Sequence, residues 1–242
     1  MSVSDYLSPM SVLRELVQGA SHMLFPRLCP GCQTPLIRTE ELVCLSCEQH
    51  LPRTGYHADP DNETSQRFAG RIPFERATSF TYFVEGGLIQ HLLHRVKYGR
   101  RSDIAVSIGH LLGDELKAAG WSTGIDAIIP VPLHWRKEAR RGYNQSEQLA
   151  IGISEHTGVP VWSKVLKRTR FTESQTDKSR QERLLNVADA FAVKQPTRLS
   201  GKHILLVDDV LTTGATMESC AHALLKVPGL RISLATAAIA SS

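Results

Sequence analysis

The 242-residue sequence predicts an α/β protein, a parallel sheet flanked by helices and preceded by a small domain built on four cysteines. From about residue 72, short apolar runs rich in β-branched residues alternate with helical stretches of ten or more residues. This alternation is typical of a parallel sheet covered on both faces. Nearer the start, two CxxC pairs lie eleven residues apart. The composition, 42% apolar and 21% charged, is that of a globular chain.

Residues 1–26 are predicted to form an amphipathic helix that ends at Pro26. Five apolar positions share one face: Leu13, Leu16, Val17, Ala20 and Leu24. The polar face lacks a cluster of Lys and Arg, so a docking helix is favoured over a membrane-surface helix. The sequence has no run of eighteen apolar residues and no secretory-signal pattern, so we expect no membrane span and a cytoplasmic location.

The cysteine-rich segment, 27–52, predicts a structural metal site. Its ligands are Cys29, Cys32, Cys44 and Cys47. Each CxxC turn aims two thiolates at one point, and two such turns close a tetrahedral four-sulfur site that suits zinc. Two disulfides or two redox pairs are the alternatives, although a cytoplasmic chain disfavours stable disulfides. With all four positions filled by sulfur, the metal would serve folding.

The polar segment 53–71 is predicted to be a linker, and 72–242 to be the second domain. Within it we expect strands at 77–84, 125–131, 161–166, 204–207 and 230–239. Helices are expected at 87–96, 104–119, 147–156 and 215–226, with a helix or ordered loop at 179–189.

The segment 204–216 carries the strongest functional signal. A buried apolar strand delivers two adjacent carboxylates, Asp208 and Asp209, and a loop of small and hydroxylated residues then opens a helix. The N–H groups at the helix start, the threonine hydroxyls and the helix dipole together form a cradle for an anion. The spacing of a Walker A loop is absent. A plain strand-to-helix turn with an aspartate cap is the alternative, but it explains only one of the two acids.

This segment resembles the phosphoribosyl pyrophosphate (PRPP) signature of type I phosphoribosyltransferases. The whole chain resembles the ComF family, in which a four-cysteine knuckle precedes a phosphoribosyltransferase-type parallel sheet. The resemblance implies that Asp208 and Asp209 are catalytic, hold the ribose 2- and 3-hydroxyls and steady positive charge on the sugar. It implies that Mg²⁺ is bound largely through the oxygens of PRPP, and it suggests a link to natural competence and DNA uptake. The residues implied to wrap the 5-phosphate are Thr212, Thr213, Gly214, Ala215 and Thr216.

A second segment, 128–146, contains a strand that ends in two prolines, followed by four basic residues within six positions. We expect a pyrophosphate-binding loop in which Arg136, Arg140 and Arg141 contact phosphate, because guanidinium groups suit bidentate phosphate contacts. Tyr143 and Asn144 are further candidates, and the string RGYNQSEQLA resembles a motif of the ComF family. The alternative is a basic loop that faces solvent.

Two further segments are candidates for the loop and acceptor side of the site. A pattern that resembles the family's flexible, ligand-covering loop contains Arg170, Gln175, Arg180 and Arg183. A charged surface loop explains this pattern equally well. Residues 95–101 carry four positive charges and no acid, and Lys97 with Tyr98 matches a Lys-aromatic pair of the family. These two residues are expected to guard the acceptor side or contact nucleic acid, with a solvated helix end as the alternative.

Two functions are therefore predicted. The chain either transfers a 5-phosphoribosyl group from PRPP to an unknown acceptor with release of pyrophosphate, or it senses PRPP without catalysis and binds single-stranded DNA. A related phosphosugar could replace PRPP, and DNA-uptake proteins are candidate partners. The net charge of +8 over residues 66–242 suits phosphates in either case. A zinc-stabilised adaptor with a vestigial pocket is disfavoured by the intact string DDVLTTGAT.

Overall fold

The structure, a computed structural model, describes residues 26–40, 42–169 and 190–240. The chain divides into two compact units, Met1–His50 and Leu51–Ser242. The helix expected over 1–26 lies outside the described residues except for Pro26, and so does the segment 179–189. Within the described ranges, no helix has both the length and the hydropathy needed to cross a bilayer.

The first unit is organised around its cysteines. Leu28 and Pro35 form an antiparallel bridge across the first CxxC turn, and the Cys29 N–H donates to the Thr34 carbonyl at 2.8 Å. The left-handed residue of this turn is Gln33, with φ 63°, rather than a glycine. The second pair of cysteines flanks the start of helix α1, Leu45–Gln49.

The second unit alternates strands and helices, as the sequence predicts. Its described strands are β1 Ala77–Phe83, β2 Ala127–Pro130, β3 Leu166–Arg168, β4 Phe191–Val193, β5 His203–Leu211 and β6 Arg231–Ala240. Its described helices are α2 Glu63–Phe68, α3 Leu88–Tyr98, α4 Ser102–Ala118, α5 Trp135–Arg141, α6 Gln145–Thr157, α7 Pro196–Leu199 and α8 Ala215–Leu224, with a 3₁₀ turn at Tyr56–Ala58.

Four strands form a parallel sheet in the order β1-β6-β5-β2. Their side chains are buried on both faces, which explains why these strands are apolar runs rather than alternating ones. Strands β3 and β4 form a separate antiparallel pair. Because the four strands are parallel, their carboxyl ends lie along one edge, where ligands bind in sheets of this type.

Helices cover both faces of the sheet. On one face, Ile204 and Leu206 of β5 share an apolar core with Cys220 and Leu224 of α8. On the other face, α4 and α6 cross so closely that a Cβ on Gly152 would lie 2.1 Å from the Val106 carbonyl oxygen.

Residues 53–71 differ from the expected linker, because they fold into the second unit. Asn62 caps α2 by accepting a hydrogen bond from the Ser65 N–H at 3.0 Å, and Phe68 is fully buried. The segment 161–166 also differs from the single strand expected there. Val161 forms an isolated parallel bridge with Ile128, and β3 begins only at Leu166 after an intervening turn.

Candidate functional site

Two adjacent carboxylates lie near the carboxyl end of β5. Side chains of a strand alternate between its faces, so Asp208 and Asp209 are directed to different surroundings. Asp208 is nearly buried, and its Oδ1 accepts hydrogen bonds from Ser146 Oγ at 2.8 Å and from the Asp209 N–H at 2.9 Å. Burial, together with the charge of Asp209, raises the pKa of Asp208 to about 7. Near neutral pH the Asp208 carboxyl group is therefore about half protonated.

Asp209 is paired with a lysine that is distant in sequence. Its Oδ2 lies 2.8 Å from Lys97 Nζ, and its Oδ1 accepts from the Val210 N–H at 2.8 Å. Lys97 belongs to the last turn of α3. The structure thus brings the predicted acceptor-side lysine directly to the acidic pair.

The loop after β5 forms a small cradle beside Asp208. A cavity of about 40 Å³ is lined by Asp208, Val210, Leu211, Thr212, Thr213, Gly214, Ala215, Thr216 and Met217. Gly214 has φ +79°, a value that side chains rarely adopt, and it immediately precedes α8. The first N–H groups of α8 therefore lie beside a space that five predicted phosphate-binding residues line. The Ala215 N–H donates to Thr213 Oγ1 at 3.4 Å.

The basic segment after β2 is a helix rather than the loop that we expected. The His134 side chain caps α5 by accepting a hydrogen bond from the Arg136 N–H at 3.3 Å, and Gly142, with φ +87°, ends the helix. Arg140 and Arg141 occupy the last turn, where positive charge complements the helix dipole.

The end of α5 and the end of α3 enclose a second, cationic cavity. It measures about 250 Å³ and is lined by Lys97, Tyr98, Arg100, Arg140 and Arg141. Burial and the charges of Arg168, Arg141, Arg140 and Lys97 lower the pKa of Lys137 nearby. This mutual repulsion is what a bound anion would relieve.

The four cysteines of the first unit converge. Their sulfur atoms all lie within 4.8 Å of one another, and each is a free thiol. A tetrahedral site with Zn–S bonds of about 2.3 Å requires sulfurs about 3.8 Å apart, so the arrangement fits a metal such as zinc. Backbone geometry fits as well, because the Cys44 N–H points at Cys29 Sγ, 3.4 Å away.

Comparisons with known proteins agree with this arrangement. A family model described as "Phosphoribosyl transferase domain" matches residues 126–241. The DNA utilization protein YhgH of Escherichia coli (strain K12) is 33% identical over 218 residues, which cover 83% of this chain and 92% of that protein. Competence protein F of Haemophilus influenzae is 27% identical over 214 residues, 87% of this chain and 89% of its own.

The chain belongs to the ComF family. Among solved structures, the adenine phosphoribosyltransferase of Leishmania tarentolae aligns over 72% of each chain, with 12% identity and a TM-score of 0.36. The fold class predicted from the sequence is confirmed, since helices flank a parallel sheet of phosphoribosyltransferase type and four clustered cysteines precede it.

Three residues that the sequence predicts as ligand contacts instead contact other groups of the ComF chain. Tyr143 donates its hydroxyl to the Val96 carbonyl of α3, whereas Asn144 donates to the Val131 carbonyl at 3.0 Å and caps α6. Arg136 lies at the other end of α5 from the cationic cavity, with its guanidinium 5.3 Å from the centre of the Trp135 ring. Four further predicted residues lie outside the part of the chain that the structure describes: Arg170, Gln175, Arg180 and Arg183.

Two arginines that sequence analysis missed support the loop after β5. Arg67 donates to the Thr212 carbonyl and Arg71 to the Thr213 carbonyl, the latter at 3.0 Å. Because a peptide group is planar, tying back these carbonyls turns the N–H groups of the following residues the opposite way. The spacing of the two arginines, one helical turn apart, was the only signal in the sequence.

Proposed function

We propose that this ComF chain binds PRPP and transfers its 5-phosphoribosyl group to an acceptor with release of pyrophosphate. One observation supports the proposal most directly. An acidic pair, a small-residue cradle and a cationic cavity lie next to one another at the carboxyl edge of one sheet. The three parts match the three chemical parts of PRPP, which are a vicinal diol, a 5-phosphate and a pyrophosphate.

Each part has a physical role in this proposal. The loop 212–216 receives the 5-phosphate through N–H groups and hydroxyls, and Arg140 and Arg141 contact the pyrophosphate at the end of α5. Asp208 and Asp209 accept hydrogen bonds from the ribose hydroxyls and stabilise positive charge that develops on the sugar as the C–O bond to pyrophosphate breaks.

The donor set also indicates where Mg²⁺ would be held. One of the two carboxylates is paired with Lys97, and the residues that line the larger cavity include no acid. A Mg²⁺ ion would therefore be held largely by the oxygens of PRPP, with Asp208 the nearest carboxylate of the cradle. When bound, the ion would neutralise charge on the departing pyrophosphate.

Calorimetric titration of the metal-loaded protein with PRPP, with and without Mg²⁺, tests binding. Release of pyrophosphate in the presence of candidate acceptors tests transfer. The double variant Asp208→Asn/Asp209→Asn is expected to lose turnover. Asp126→Asn is the matched control, because Asp126 binds Lys202 and the His203 N–H at the opposite end of β5. Pyrophosphate release that survives in the double variant would overturn the proposed chemistry.

For the first unit, we propose a structural zinc ion held by Cys29, Cys32, Cys44 and Cys47. The convergence of four thiols supports it, and metal analysis tests it. About one zinc per chain is expected, and none in Cys29→Ser.

A second candidate function, binding of single-stranded nucleic acid, is favoured by two exposed aromatic rings beside the cations. Tyr98 and Trp135 are 62% and 63% exposed, and arginine guanidinium groups lie near both rings. Exposed aromatic rings among cations are the elements from which single-strand surfaces are built. The names of the relatives, which refer to DNA utilization and competence, agree with this function.

Fluorescence anisotropy with a labelled oligonucleotide tests this second function. Affinity should fall steeply with salt, and Tyr98→Ala should weaken binding about tenfold. Arg100→Glu should weaken it more than Arg101→Glu, because Arg100 lines the cavity whereas Arg101 is held by Asp103 at 2.6 Å. Equal effects of the two charge reversals would show that only the overall charge matters.

A further inference from the structure

Lys97 stands between the two halves of the candidate site. Its ammonium group lies 2.8 Å from Asp209 Oδ2, and the same side chain lines the cationic cavity with Arg100, Arg140 and Arg141. One lysine thus contacts the carboxylate proposed to receive the ribose hydroxyls and borders the space proposed to receive the pyrophosphate.

The ion pair with Lys97 makes the Asp209 carboxylate inaccessible to a ligand. Oδ1 accepts from the Val210 N–H, and Oδ2 is buried without a hydrogen-bond partner, with the Lys97 ammonium group as its ionic contact. The two side chains are only 27% and 13% exposed. At this burial, a charge left without a partner is costly, so neither group is expected to separate unless each finds a replacement.

The backbone at Lys97 is held by its neighbours, whereas a lysine side chain is a flexible four-carbon stem that can reach more than one partner. Val96 is buried and its carbonyl accepts the Tyr143 hydroxyl, while the guanidinium of Arg141 lies 5.7 Å from the centre of the Tyr98 ring. These contacts hold the last turn of α3. Rotation about the bonds of the four-carbon lysine stem allows its ammonium group to move from Asp209 to the cavity. Among the residues that line that cavity there is no acid, so an ammonium group facing it needs an anion from the ligand.

We propose that Lys97 is a specificity-determining residue that exchanges Asp209 for an anionic group of the ligand. The exchange opens Asp209 to ribose hydroxyls only when the ligand also brings charge into the cationic cavity. This inference rests on the proposed function and adds a selection rule to it. PRPP satisfies both conditions. Ribose 5-phosphate carries the diol and the 5-phosphate but nothing for the cavity, so it must either leave Lys97 unpaired or leave Asp209 covered.

The decisive experiment compares the affinities of these two ligands in wild type and in Lys97→Met, by calorimetry at one fixed Mg²⁺ concentration. Methionine keeps the length and apolar stem of lysine but removes the charge. PRPP should bind more weakly to the variant, and ribose 5-phosphate should bind more tightly, because loss of the ammonium group uncovers Asp209. The ratio of the two dissociation constants should narrow by about tenfold or more, the effect expected of one charged hydrogen bond.

Arg140→Met is the matched control, because Arg140 lines the same cavity from α5. This variant should bind PRPP more weakly and bind ribose 5-phosphate with unchanged affinity. If Lys97 only contacts an anion in the cavity, Lys97→Met will behave like Arg140→Met, with weaker PRPP binding and unchanged ribose 5-phosphate binding. If Lys97 only attracts anions at long range, Lys97→Met will weaken the binding of both ligands alike. Either outcome overturns the inference. If Lys97→Met folds poorly, Lys97→Gln, which keeps a donor for Asp209, should narrow the ratio by a smaller factor. Wild-type protein that fails to bind PRPP would instead reject the proposed function itself.

Discussion

Among the residues of the cradle, Gly214 is the one at which a single substitution should perturb the loop conformation most. Its φ of +79° would strain any side chain, at about 1–2 kcal/mol for alanine. The added Cβ would also lie 2.9 Å from Cε1 of Phe68, inside contact distance, and relief of such an overlap in a packed core costs about 1–3 kcal/mol. Gly214→Ala should therefore destabilise the protein by about 2–5 kcal/mol. It should also weaken PRPP binding, because the loop must move away from Phe68.

Gly120→Ala separates the two contributions. Gly120 has a similar φ of +70°, but its Cβ would meet nothing within 4 Å. Urea unfolding should give this control only the backbone cost, about 1–2 kcal/mol. In a Phe68→Leu background, which removes the obstructing ring edge, Gly214→Ala should cost no more than the control. An equal loss of stability for Gly214→Ala and Gly120→Ala in the wild-type background would refute the packing argument.

Three further predictions follow from burial, metal binding and helix packing. The raised pKa of Asp208 means that folding favours its protonated form, so stability relative to Asp208→Asn should decline from about pH 4 to pH 7, measurable by urea unfolding at several pH values. Chelation of the proposed zinc ion should expand the first unit, seen as faster proteolysis near Cys29, and added Zn²⁺ should reverse it. Gly152→Ala, whose Cβ would overlap the Val106 carbonyl oxygen, should destabilise the protein by more than Gly113→Ala, whose nearest contact is 3.1 Å, when thermal unfolding is compared.

Sequence analysis predicted proximity only between those site residues that are contiguous in the chain. Asp208 and the loop after it follow one another on a strand, a turn and a helix start, so their proximity follows from local structure alone. The cysteine pairs are similar, because each CxxC turn brings two sulfurs together before any tertiary contact forms. The parallel order of the main strands was likewise implied by the intervening helices.

The features of the fold and site that the sequence did not predict depend on contacts between distant segments. Nothing local relates Lys97 to Asp209, and α2 is too short for its apolar pattern to show a helical period. The basic segment was misassigned for a different reason. Helix α5 has no buried residue and so no apolar stripe, and it is stabilised instead by the His134 cap and by the arginines in its last turn.

The support beneath the cradle bears on whether this ComF chain retains a working ligand site. Arg67 and Arg71 hold the carbonyls of Thr212 and Thr213, and Arg71 also pairs with Glu218 on α8. These contacts fix two successive peptide planes before any ligand arrives, which lowers the cost of orienting N–H groups toward an anion. A loop that served only to connect β5 with α8 would need no such restraint on its carbonyl groups. The restraint therefore favours a pocket that still binds a phosphate over a vestigial one.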